Sequence, residues 1–396
     1  MGNTPKELRF KKILMSNWIA CGLYSLFLIS SCLYSFEKPL YNWDMLAYMA
    51  IVEGAENSDP VVIHNKVYDE ARRHVPADAY ARLVDTLHPV RKQMLTDAAA
   101  FNKQLVYYTV KPLYTGLVYV FYKAGISLTA ATVLPSVIAY FFTGVLLFYW
   151  LAKYLNMYAA ILCSIFIMLM PALFNSAKLS TPDCLSSFLL FTAMYFILER
   201  RKIFPVFLFL LLSIFARVDN IVACFLVVTL LAITTNWGIK ISKKQYALMA
   251  AAFVAVYFTI SYSCIKYGWN ILFYPSFAQH LGTHPGSGFS ITGCVRFALS
   301  QLITGLYFSN LIIYLLLLAF VFINTTSKPS KLNFDQSLAI TIFLIIVVRF
   351  MLLPEIDDRF NAGWYLTTIM LLVRKLFGGS NAINVAQPQA LPGDNQ

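Results

Sequence analysis

The sequence predicts an all-α integral membrane protein of about ten transmembrane helices, on three observations. Of its 396 residues 59% are hydrophobic and only 13% charged, a balance too apolar for soluble domains. Apolar stretches long enough to cross a bilayer recur along the chain. Lys and Arg collect in alternate turns between them, as they do on the cytoplasmic side of membrane proteins. The net charge of +12 therefore sets topology, and nucleic acid is excluded as a partner because no soluble segment interleaves basic and aromatic residues. The seven cysteines form no CxxC and lie mostly in apolar stretches as small packing residues. Only Cys264 and Cys294, flanking an outer loop, are placed to pair.

Lys6, Arg9, Lys11 and Lys12 hold residues 1–12 in the cytoplasm, and the apolar run 13–36 reads as an uncleaved anchor, span 1. This span carries Asp44, a lone carboxylate between Lys38 and Glu53, to the outer face. An ionisable group at the membrane edge is costly and points to function. The outer loop 37–127 holds ten of the nineteen acids, so it is the polar, exposed part of the chain. It reads as short amphipathic helices around 67–74 and 77–84, separated by Pro60, Pro76 and Pro89. Residues 107–125 are apolar, but Pro112 and several tyrosines mark them as a helix lying in the outer interface.

Alternation then orders the rest. Spans at about 128–151, 157–173, 184–198, 203–215, 221–235, 246–264, 301–323, 337–353 and 364–373 put Lys153, Arg200 to Lys202, Lys240, Lys243, Lys244, Lys328, Lys331, Arg374 and Lys375 inside. Both termini are then cytoplasmic. Residues 1–376 form one transmembrane domain, and the tail 377–396, rich in Gly, Asn, Gln and Pro, reads as disordered.

The outer turns carry Asp44, Lys111, Lys178, Asp183, Arg217, Asp219, Glu355, Asp357, Asp358 and Arg359. Acids and bases at one depth imply a shared cavity. A carboxylate can take a proton from an acceptor hydroxyl, while Arg and Lys can hold a phosphate leaving group.

Four elements carry a resemblance: Trp43-Asp44 soon after span 1, the long first outer loop, Lys111-Pro-Leu-Tyr114 ahead of Gly125, and Thr181-Pro-Asp183 ahead of the fourth span. Arg217-Val-Asp219 and Asp358-Arg359-Phe360 fit more loosely. With this layout, over roughly residues 44–365, the chain resembles the GT-C superfamily of membrane glycosyltransferases, and within it the lipid A aminoarabinose transferases and protein O-mannosyltransferases. The resemblance implies a GT-C-like fold and inverting transfer of a sugar from a polyprenyl-phosphate donor to a hydroxyl of a glycan, lipid A or an exported protein. It implies Asp44 as general base, with Asp183 as a second catalytic acid. Lys111, Arg359 and Arg217 would bind the donor phosphate; Trp43, Tyr114, Asp219 and Asp358 would line the substrate site. The short basic tail and compact size point to a bacterial inner membrane, and the order of the spans turns the site to the periplasm. The chain departs from the mannosyltransferases in having Met45, not a second acid, after Asp44, and it has no soluble outer domain after the last span.

Plainer roles exist for each residue: helix capping for Asp44 and Asp183, mutual pairing for Arg217 and Asp219, snorkelling for Lys111, and a solvated ion cluster around Arg359. No metal ligand set closes in the sequence, and a divalent cation between Asp44 and Asp183 is left open. His280 and His284 have i,i+4 spacing, but Gly282, Pro285 and Gly286 argue against a helix there. Two other functions compete: a polysaccharide polymerase or ligase, expected to carry an Arg-rich later outer loop, and a transporter or flippase of lipid-linked sugars, expected to show paired halves with broken helices.

Overall fold

The computed structural model describes residues 18–234, 239, 241–264, 291–323, 333–352 and 355–378. The N-terminal basic residues, Lys240, His280, His284, Lys328, Lys331 and the C-terminal tail lie outside them, as do the side chains of Cys264 and Cys294. Among the described residues every extended element is helical, apart from one isolated parallel bridge between Leu40 and Leu179.

The first apolar helix, α1 (Trp18–Glu37), is followed by α2 (Asp44–Glu53), α3 (Pro60–His74), α4 (Ala77–Leu83), α5 (Pro89–Thr96), α6 (Ala98–Gln104), α7 (Val106–Thr109) and α8 (Pro112–Lys123). The prolines open these short helices as expected: Pro60, Pro89 and Pro112 occupy first turns, where a missing N–H costs nothing, and Pro76 is the N-cap residue of α4. The 12 residues of α8 rise only about 18 Å, short of a bilayer core. Gly125, at φ +92, lets the chain turn out of α8 into α9 (Leu128–Leu151).

Then come α10 (Met157–Met168), α11 (Pro171–Lys178), α12 (Asp183–Tyr195) with a wide π turn at Phe196–Arg200, α13 (Ile203–Ala216), a 3-10 turn at Val218–Asn220, α14 (Ile221–Ile233), α15 (Lys243–Cys264), α16 (Ile291–Phe308), α17 (Leu311–Ile323), α18 (Phe334–Leu352) and α19 (Asp358–Phe377). Among the described residues four helices are long and apolar enough to cross a membrane: α1, α9, α15 and α18. Two bent pairs raise the number to six if each is one span, α10 with α11 at 61° and α16 with α17 at 81°. The straight spans expected at 157–173 and 301–323 are thus broken. Pro171 interrupts the first, because it cannot donate into a continuing helix, and Ser309-Asn310 interrupt the second. Helices α13 and α14 are apolar but only 14 and 13 residues long.

Contacts set the turns at two ends of a bundle centred on α12, which packs on α9, α13 and α19 and is buried around almost its whole circumference. At one end Ser136 of α9 donates to the Thr181 carbonyl (2.9 Å) and Thr132 meets Ser180 (2.8 Å). At the other, the α9 end supplies Trp150, Lys153 and Tyr154 to Glu199 in the π turn. Helices α9 and α12 therefore run in the same direction. Helix α19 joins them closely: a Cβ on Gly363 would stand 2.9 Å from the Ser187 carbonyl oxygen, so only glycine permits this crossing. The Glu199 end carries Lys153, Arg200, Arg201, Lys202, Lys243, Arg374 and Lys375, while the opposite end collects acids and bases together.

Candidate functional site

The mixed-charge end is assembled from four turns. Leu40, just before α2, donates its N–H to the Lys178 carbonyl (2.8 Å), which ties the Asp44 strand to the chain entering α12. Asp44 opens α2 but caps nothing. One carboxylate oxygen accepts from the Tyr108 hydroxyl (2.9 Å) and the other from the Asn42 amide (3.0 Å). Each oxygen keeps a free lone pair, so the carboxylate is oriented but not consumed.

Lys111, the residue before α8, donates to the Tyr48 hydroxyl (2.8 Å) and lies 5.3 and 5.0 Å from the ring centres of Tyr48 and Tyr108. It packs inward instead of snorkelling to the surface. Burial lowers its pKa and Arg217 adds to that effect, against a pull from Asp44, Asp183 and Asp219. Its hydrogen bond goes to a neutral hydroxyl, and no carboxylate lies within ion-pair distance of it among the described residues.

Asp183, at the first position of α12, is buried and bonds to Arg217, with Arg359 at 3.5 Å. Arg217 also pairs with Asp219 through two bonds (2.9 and 3.1 Å), so its donors are largely spent. Burial alone would raise the Asp219 carboxyl, but Arg217 and Arg349 outweigh it and hold it well below the usual range. Arg359 pairs with Asp357 at 2.7 Å. The guanidiniums of Arg349, Arg217 and Arg359 stand 4.3, 4.5 and 4.8 Å from the centre of the Phe360 ring, which spaces three like charges around one aromatic wedge.

Arg349, in the last turn of α18, was not among the residues the sequence singled out. Its contacts are long, 3.4 Å to Asp219 and 3.5 Å to Asn361, and its buried Nη2 has no hydrogen-bond partner among the described residues. An arginine alone inside an apolar span was the available signal.

The remaining candidates divide. Trp43 packs its ring on Phe101 and on Tyr108, whose hydroxyl holds Asp44. Tyr114 is fully buried, packs on the Tyr48 ring and donates to the Thr132 carbonyl (2.5 Å), so it braces α8 on α9 behind the charged residues. Asp358 accepts from the Asn310 N–H (3.0 Å) and amide (2.8 Å) and from Tyr365 (2.9 Å), which fixes α19 to the break between α16 and α17. Lys178 stands apart, over Tyr34 and Phe174.

A cavity of about 420 Å³ opens beside Arg359, bounded by Leu40, α11, α16 and the residues leading into α19. Among the described residues no three His, Cys, Asp or Glu side chains gather as a metal site. A cation bridging Asp44 and Asp183 would have to displace the guanidiniums that already hold Asp183. Comparison with protein families, curated proteins and solved structures gives no match for this chain.

Proposed function

We propose that the chain is an inverting, GT-C-like membrane glycosyltransferase that moves a sugar from a polyprenyl-phosphate donor to a hydroxyl acceptor on the outer face of a bacterial inner membrane. In this reading the bundle crosses about ten times, the short helices α13 and α14 and the bent pairs counting as spans, and the basic Glu199 end faces the cytoplasm. The acceptor is a glycan, a lipid such as lipid A or an exported protein.

One observation carries the reading: an oriented carboxylate with spare lone pairs shares one end of the bundle with two underpartnered cations. Asp44, held by Tyr108 and Asn42, takes the acceptor proton. Lys111 and Arg349, both close enough to act on Asp219, take the donor phosphate as charge grows on it. Arg359 flanks them. Arg217 and Asp183 serve as the frame: a carboxylate held by two guanidiniums is a poor base, and a guanidinium held by two carboxylates is a poor anion ligand. Phosphate departs with the bonding electrons of the anomeric C–O bond while the acceptor oxygen closes on the opposite face, so the configuration inverts.

Purified wild type and Asp44→Asn, offered a panel of polyprenyl-phosphate sugars and scored for released polyprenyl phosphate, test the reading. Loss of about 100-fold or more in a folded Asn variant is expected for a general base. Full turnover by that variant would remove Asp44 from the mechanism. Release of polyprenyl phosphate from no donor would favour a transporter or flippase, which leaves its cargo intact, and extension of a lipid-linked oligosaccharide would indicate a polymerase or ligase.

A further inference from the structure

We infer that aromatic rings are the positioning groups of the phosphate site: Phe360 holds Arg349, and Tyr48 with Tyr108 hold Lys111, which leaves N–H donors on both cations for the ligand. The inference rests on the proposed polyprenyl-phosphate donor and extends that reading to the residues that keep its cations available.

What holds each cation comes first. Neither polar contact of Arg349, 3.4 Å to Asp219 and 3.5 Å to Asn361, has the length of a well-formed hydrogen bond. Its guanidinium lies over the Phe360 ring at 4.3 Å, closer than Arg217 at 4.5 Å or Arg359 at 4.8 Å. Lys111 lies over two rings, and its one hydrogen bond among the described residues goes to the Tyr48 hydroxyl at 2.8 Å. The rings are themselves fixed. Tyr48 is fully buried and packs edge-on against Tyr108 and Tyr114, with ring centres 5.3 and 4.7 Å away. Phe360 stands in the first turn of α19, where its N–H donates to the Asp357 carbonyl (3.1 Å) and the neighbouring Asp358 is tied to Asn310 and Tyr365.

A carboxylate and a ring leave different things over when they hold a cation. A carboxylate neutralises the charge and takes N–H donors, as Asp183 and Asp219 do to Arg217. A ring face attracts a cation through its quadrupole and takes no donor. Nη2 of Arg349 accordingly has no partner among the described residues, and Lys111 keeps two of its three N–H bonds. Without the ring, Arg349 would be free to close the remaining distance to Asp219 and spend its donors there. Of the three guanidiniums on Phe360, Arg217 has Asp183 and Asp219, and Arg359 has Asp357. Arg349 is the one left for an incoming anion.

The experiment uses the full chain in detergent. Binding of bare polyprenyl phosphate is measured by native mass spectrometry, and KM and kcat are measured with a polyprenyl-phosphate sugar. Phe360 is replaced by Leu, by Tyr and by phenylalanines carrying one to five ring fluorines, which weaken the quadrupole with little change of shape. Phe360→Leu should weaken carrier binding by about tenfold, and Phe360→Tyr should stay within about twofold of the wild type. Along the fluorine series affinity should fall stepwise and KM should rise, with kcat and Tm nearly constant; a ring needed only for packing would give a flat series. In an Asp219→Asn background the Phe360→Leu loss should shrink to about twofold or less, because Arg349 has no carboxylate to close on. At the other cation, Tyr108→Leu should weaken carrier binding by about tenfold, whereas Tyr108→Phe, which keeps the ring, should not. A flat fluorine series, or folded Leu variants with wild-type carrier binding, would overturn the inference and leave the glycosyltransferase reading standing. Carrier binding that follows the series without transfer from any donor would support the inference and refute that reading. A wild type that binds no carrier would refute both.

Discussion

Asp183→Asn tests whether the charged end is a framed site or a loose set of surface ions. Asp183 is buried at the start of α12 and bonds to Arg217, with Arg359 at 3.5 Å. Removing one member of a buried ion pair costs about 3–5 kcal/mol when the other charge is left alone. Here neither partner is left alone, because Arg217 retains Asp219 at 2.9 Å and Arg359 retains Asp357 at 2.7 Å. We therefore expect roughly half that cost, about 2 kcal/mol. Thermal unfolding in detergent, followed for the wild type, Asp183→Asn, Arg217→Gln and the double variant, measures it. The double variant should recover part of the loss, with a coupling of about 1–3 kcal/mol between the two positions. Asp183→Asn should also bind bare polyprenyl phosphate more tightly than the wild type, because a carboxylate no longer competes for the guanidiniums. Additive single and double variants together with unchanged carrier binding would refute the framed-site argument.

Other expectations follow from the same contacts. Arg349→Gln should raise the KM for a polyprenyl-phosphate donor by about tenfold or more with little loss of Tm, whereas Arg217→Gln should lower Tm first; the two assays in parallel separate ligand from frame. Tyr108→Phe removes the hydroxyl that orients Asp44 and should reduce kcat by about tenfold, while Tyr114→Phe, which loses only its bond to Thr132, should cost about 1 kcal/mol of stability and leave kcat alone. Gly363→Ala pushes a methyl group against the Ser187 backbone and should destabilise by about 1–3 kcal/mol, read as a lower Tm. Asp219 titrates below the ordinary carboxylate value, so its stabilising contribution is complete above that value and is lost only as pH falls through its lower folded value. The Tm deficit of Asp219→Asn should accordingly be equal at pH 8 and pH 5 and should shrink only below about pH 4.

The charged residues of the site were legible because they are rare in this chain. Asp183, Arg217, Asp219, Asp358 and Arg359 stand in short turns between apolar stretches, Asp44 and Lys111 stand near the two ends of the long outer loop, and alternation of basic turns assigns all of them to one end. Their roles were less legible. Arg349 was hidden because a span predicted by hydropathy absorbs a single charge, although that charge carries its own signal. Tyr108 and Tyr114 cannot be told apart by spacing; which hydroxyl meets Asp44 depends on the register of α7 and α8 against α2, a property of packing. Pro171 announced the break between α10 and α11, yet hydropathy averaged over the window runs straight through it. The break at Ser309-Asn310 has no comparable sequence mark, and Asn310 becomes intelligible only when Asp358 is seen to bind its backbone.

The two ends of α12 explain why so many ionisable groups persist in this chain. At one end Glu199 is surrounded by Trp150, Lys153 and Tyr154, a closed arrangement in which the acid has three donors. Such a cluster fastens α9 to α12 and has no capacity left for a ligand. At the other end Asp44, Asp183, Asp219 and Asp357 stand among Lys111, Arg217, Arg349 and Arg359, and their pairing is uneven. Three of the acids sit on guanidiniums, and Asp44 is held by neutral groups at a distance from its counterpart Lys111, which is itself held by a neutral hydroxyl. A structure selected only for stability would bring Asp44 and Lys111 together, since each is costly to desolvate without an opposite charge. Tyr48 and Tyr108 keep them separate, and in the proposed reaction that separation would leave a base for a proton and a cation for a phosphate at the same end of the bundle.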